Sequence, residues 1–96
     1  MGTTRAQTQT AQVTCINKPN RNSTAEAITH IGGEIWKWPV ERVITAIENH
    51  EWVFYTMVDG KKVIIAVRIS ARGRKFLQTH ADNQWNNNLL ALAECR

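Results

Sequence analysis

The dipeptide Asp59-Gly60 constrains this chain more than any other feature of it. Both central residues of a two-residue type I′ turn need positive φ, and Asp-Gly accepts that conformation readily. Flanking it are two β-branched and aromatic runs, Trp52-Val53-Phe54-Tyr55-Thr56-Met57-Val58 and Lys62-Val63-Ile64-Ile65-Ala66-Val67-Arg68-Ile69. A turn of fixed length fixes the register. Val58 then faces Lys61, Thr56 faces Val63, Phe54 faces Ile65 and Trp52 faces Val67. On the other face Met57 meets Lys62, Tyr55 meets Ile64, Val53 meets Ala66 and Glu51 meets Arg68. Both faces are largely apolar, and one helix covers only one of them. The second face therefore needs either the apolar run Leu89-Leu90-Ala91-Leu92-Ala93 or a partner chain.

The helix lies just before the hairpin. Val40, Val43, Ile44 and Ile47 recur at helical spacing, Pro39 suits the first turn, and Glu41 complements the dipole. Asn49-His50 ends it. Upstream, Gln12-Val13-Thr14-Cys15-Ile16 alternates as a strand should, and a loop rich in Asn follows. Residues 27–31, Ala-Ile-Thr-His-Ile before Gly32-Gly33, read as a second strand, although Ser23 and Glu26 have the spacing of a capping box. After a turn at residues 70–74, Lys75-Phe76-Leu77-Gln78-Thr79-His80 is a further strand. The expected fold is α+β, in the order β-β-α-β-β-β. It has one small, mainly antiparallel sheet, one helix on one face and a short C-terminal segment.

The chain has 96 residues, which suits a single domain. Residues 1–10 read as a disordered tail and 11–96 as the domain. Nothing in the sequence resembles a secretory signal or a membrane span, so a cytoplasmic location is expected. Ala6 breaks the myristoylation pattern that Met1-Gly2 begins. Cys15 and Cys95 read as reduced thiols; a bridge between them would close a long loop.

Chemistry is harder to find. Cys15, His30, His80 and Cys95 are competent metal ligands, yet none of them has the close pairing that anchors structural zinc. Cys95 with His80 makes a poor nucleophile and base, and Gly32-Gly33 lacks the rest of a phosphate loop. No catalytic constellation and no cofactor are expected. The net charge of +4 attracts polyanions weakly. Within it, Arg68, Arg72, Arg74 and Lys75 cluster, with the rings of Phe76 and Trp85 downstream, a mixture that suits contact with RNA or single strands. Trp36-Lys37-Trp38-Pro39 is an aromatic patch of the kind that anchors partners.

Several short runs occur in a fixed order: Ile28-Thr29-His30-Ile31-Gly32-Gly33, a Trp before a helix ending in Ala46-Ile47-Glu48, and an aromatic strand ending at Gly60. Lys75-Phe76-Leu77-x-Thr79-x-Ala81-Asp82 and Asn87-Asn88-Leu89-Leu90 with a near-terminal Cys95 complete the set. Over residues 28–95 the chain resembles a family of small bacterial and archaeal proteins built on a domain of unknown function. The resemblance implies a small α+β fold and no particular chemistry. The leading expectation is a non-enzymatic interaction module. It would bind a protein partner or form a homodimer through Trp36, Trp38, Tyr55 and Ile64. The alternative is weak nucleic-acid binding through Arg68, Arg72, Arg74 and Lys75.

Overall fold

A computed structural model describes residues 8–20, 22–81 and 84–95. The class is α+β, as expected, and the described residues form nine short strands arranged in two sheets rather than one. In chain order the strands are β1 (Gln9–Gln12), β2 (Cys15–Asn17), β3 (His30–Gly32) and β4 (Lys37–Pro39). After the helix α1 (Val40–Glu48) come β5 (Trp52–Val58), β6 (Lys61–Ile69), β7 (Lys75–Ala81), β8 (Gln84–Asn86) and β9 (Ala93–Glu94). The larger sheet has the order β1-β5-β6-β7-β8, and the smaller β4-β3-β2-β9. Most pairs are antiparallel; β1 runs parallel to β5, and β2 parallel to β9. Among the described residues no helix is long and apolar enough to cross a membrane.

Next to its turn the hairpin forms in the expected register; the further pairs expected, Phe54–Ile65, Val53–Ala66, Trp52–Val67 and Glu51–Arg68, are not part of the ladder. Asp59 and Gly60 both have positive φ, 51° and 78°, and Val58, Met57, Thr56 and Tyr55 pair with Lys61, Lys62, Val63 and Ile64. Phe54, Thr56, Val63 and Ile65 are buried, which makes theirs the core face. Helix α1 packs against β5, β6 and β7 and buries Val40, Val43, Ile44 and Ala46. Each buried Val or Ile side chain contributes about 1.5–3 kcal/mol, and the Ala46 methyl less. Ile47, expected in the core, is only partly buried, and Ala46 lies deeper. The helix starts from Pro39 without a side-chain cap, and the Val40 N–H donates instead to the Thr29 carbonyl at 2.9 Å. At its other end His50 adopts a φ of 58°. The Glu51 N–H reaches the Ala46 carbonyl and the His50 N–H the Ile47 carbonyl, a Schellman ending with His where Gly is usual.

Four expectations are corrected. Gln9 and Thr10, expected in the tail, pair with Trp52 and Val53; residues 1–7 lie outside the described residues. The run 12–16 is a corner rather than one strand. The Val13 N–H still bonds to Tyr55, the next N–H, of Thr14, bonds to Gly32, and the chain passes there from the larger sheet to the smaller. Residues 27–31 are divided between a 3-10 turn, Ala25–Ala27, and β3. Ser23 does not cap that turn; its N-cap is Thr24, with no side-chain bond. Finally, the two thiols expected to be reduced form a disulfide, Cys15–Cys95, with sulfurs 2.06 Å apart.

The apolar run at 89–93 does not cover the second face of the hairpin. It forms a 3-10 turn, Asn88–Ala91, that inserts Leu89 into the core against β2, β5 and β7 and then continues as β9. The second face stays open along Tyr55, Met57, Lys62 and Ile64, whereas at its other end the turn Ala25–Ala27 packs against β7, and Phe76 and Gln78 are buried.

Candidate functional site

That open face is an ordered surface. Gln12 pairs with Tyr55, Tyr55 with Ile64, Ile64 with His80, and His80 with Trp85, so one cross-strand row spans all five strands of the larger sheet. With strands about 4.8 Å apart, Tyr55 and Trp85 stand roughly 14 Å from each other. Alternation places Met57 and Lys62 beside this row at one end, and Ala66, Gln78 and Arg68 at the other. Met57 is 42% exposed, Ile64 40% and Trp85 37%.

Cations lie over the rings. The Lys62 ammonium is 4.5 Å from the Tyr55 centroid, and the Arg68 guanidinium 5.0 Å from that of Trp85. His80 and Trp85 are in ring contact, with centroids 4.5 Å apart. A short network holds this end. Arg68 donates to Gln78 Oε1 at 2.8 Å, and Gln78 Nε2 donates to Asn87 Oδ1 at 2.7 Å. Thr79 Oγ1, on the buried side of the same strand, donates to the Asn86 carbonyl at 2.8 Å and fixes β8 beside β7. Not one Asp or Glu occurs in the five strands, which carry Lys61, Lys62, Arg68 and Lys75.

The structure separates residues that the sequence grouped. Tyr55 and Ile64 lie together on the open face. Trp36 and Trp38 pack instead on the core side of the same sheet, with centroids 5.7 and 6.0 Å from Phe54. The basic cluster is divided as well. Arg68 joins the open face, whereas Arg72 and Arg74 are exposed in the turn, where their N–H groups donate to Ser70 Oγ. Lys75 alternates to the helix side and forms a 2.6 Å ion pair with Glu48. The four ligands weighed for a metal do not converge. Cys15 and Cys95 are bonded to each other, His30 Nδ1 shares a 3.0 Å hydrogen bond with Thr29 Oγ1, and His80 rests on Trp85. In the sequence nothing marks Lys62 as a site residue, and His80 reads only as a metal ligand or a base. The period-two alternation of β7 was the signal that could have placed His80 beside Ile64.

A concave region lies on the core side. Trp36, Trp38, Trp52 and Phe54 form one aromatic cluster with neighbouring centroids 5.7–6.0 Å apart, and the Arg42 guanidinium sits 4.1 Å above Trp38.

No curated protein and no solved structure matches the chain. A family model described as a protein of unknown function, DUF3892, matches residues 12–93. The match begins earlier than the resemblance read from the sequence, so it takes in Cys15, and it stops just short of Cys95. It covers most of the chain, and the protein belongs to the DUF3892 family.

Proposed function

We propose that the protein binds single-stranded nucleic acid across the open face of the larger sheet. One observation carries this: the row Tyr55-Ile64-His80-Trp85, flanked by Lys62 and Arg68, lies on a sheet whose strands contain no carboxylate. Rings spaced along a sheet offer stacking platforms to successive bases, and neighbouring Lys and Arg meet the phosphates between them. In the free protein the same cations lie over the rings. Swinging them onto phosphates uncovers the ring faces. The binding surface is thus the sheet rather than the turn at residues 70–74, and Lys75 contributes nothing because Glu48 holds it on the other side.

The test is fluorescence anisotropy with short labelled single strands of DNA and RNA at several salt concentrations. Affinity should fall as salt rises, and it should weaken in Arg68→Ala and Trp85→Ala. Absence of binding at low salt, or binding indifferent to Trp85→Ala, rejects the proposal. A cytoplasmic location belongs to this reading, and there the Cys15–Cys95 pair meets a reducing pool. Titrations in oxidising and reducing buffer should agree, because the bridge lies on the smaller sheet.

A protein partner is the competing occupant, favoured by the exposure of Met57 and Ile64. Two copies meeting face to face would oppose cations without a carboxylate to pair them, which disfavours the homodimer. Light scattering at several concentrations checks this point: a dimer that dissociates in Ile64→Lys would favour self-association.

A further inference from the structure

The aromatic cluster on the core side takes no part in the proposed nucleic-acid surface. Its rings are more than core filling. Phe54 is fully buried and forms the floor, while Trp36, Trp38 and Trp52 are each only partly buried and wall a cleft of about 640 Å³. That is the size of a small-molecule site, for which roughly 300–1,000 Å³ is usual. Ile35, 94% exposed at the tip of a tight turn closed by Gly33 N–H to Trp36 O, stands at the rim.

The charge at this cleft is the reverse of that on the open face. Glu34 is the one charged side chain among the described residues that line it. Aromatic faces carry negative potential and attract cations, most strongly for Trp. The cluster already shows this behaviour, since it holds Arg42 over Trp38. An anionic rim above aromatic walls complements a ligand that is apolar in bulk and positively charged. An anion or a neutral sugar gains nothing from that pairing.

We infer that the cleft walled by Trp36, Trp38 and Trp52 binds a small organic ammonium ion, its alkyl groups against the rings and its charge toward Glu34. The cleft is separate from the proposed nucleic-acid surface, since Phe54 and Tyr55 alternate to opposite faces of β5. The two can therefore fail independently.

The experiment is a titration of the isotope-labelled full chain with choline, followed by the four indole N–H resonances. A parallel titration uses choline's neutral carbon isostere. The resonances of Trp36, Trp38 and Trp52 should move while that of Trp85 stays fixed. Choline should bind roughly tenfold more tightly than the isostere. Glu34→Gln, an exposed substitution that leaves the fold intact, should weaken choline about threefold and leave the isostere unchanged. No shift, equal affinity for the neutral isostere, or equal movement of Trp85 overturns the inference. So does tighter binding of a trimethyllysine peptide, which would make the occupant a protein segment.

Discussion

Gly32 and Cys15 face each other across the β2–β3 ladder, and the side chain that Gly32 lacks leaves the room that the Cys15 sulfur fills. A Cβ at position 32 would lie 3.1 Å from that sulfur, 3.2 Å from the sulfur of Cys95 and 2.6 Å from the Trp36 carbonyl oxygen. The last contact is with backbone, which cannot swing aside. Gly32→Ala should therefore cost about 1–3 kcal/mol, read from the midpoint of a urea melt. A melt unchanged from the parent would mean that the turn after β3 is laxer than the geometry indicates.

The bridge itself joins residues 80 apart in sequence. Closing a loop of that length in the unfolded chain stabilises the native state by about 4 kcal/mol on the chain-entropy model. Denaturation with and without reductant should differ by that order, with the reduced form the weaker. The β2–β9 pairing and the Asn17 Nδ2 bond to the Cys95 carbonyl persist without the covalent link, so the reduced protein should still fold.

His50 sits in left-handed backbone that an L side chain adopts at a cost of roughly 1–2 kcal/mol. Glycine removes that strain but frees the unfolded chain, so His50→Gly should gain about 0.5–1 kcal/mol net. A thermal melt shifted upward by a few degrees is the expected result. Loss of stability instead would show that the exposed imidazole makes a favourable contact.

On the open face, Trp85→Ala removes a stacking platform and should weaken single-strand binding by about tenfold. Lys75→Ala should leave affinity within experimental error, although Lys75 belongs to the densest run of positive charge in the chain. Its exposed pair with Glu48 adds little stability either, at most about 0.5 kcal/mol. Measured together, the two variants separate a surface set by strand geometry from one set by charge in the sequence.

The legible parts of the fold were those with local causes. Asp59-Gly60 dictates its own register, and the spacing of Val40, Val43 and Ile44 dictates its own helix. What escaped depends on a partner rather than on local pattern, far along the chain for β1 and β9 and across a short connection for β4 and β8. β1, β4, β8 and β9 have four residues or fewer, and each is a strand only because another strand lies beside it. The same holds for the candidate site. The Tyr55–Ile64 pair follows from the turn, whereas its continuation to His80 and Trp85 passes through a connection at residues 70–74 whose length sets no register. The Cys15–Cys95 bond left no local trace at all.

The corner at Val13 and Thr14 has a consequence for the order in which the protein can be completed. The segment holding β1 and β2 is made first, but neither strand can pair fully with what is made next. β1 waits for β5, and the outer edge of β2 waits for β9, so both sheets are closed by contacts between chain positions synthesised far apart. Such non-local closure is entropically slow. A chain emerging from the ribosome would hold the hairpin and its helix early, and would complete its smaller sheet only once residue 93 is free.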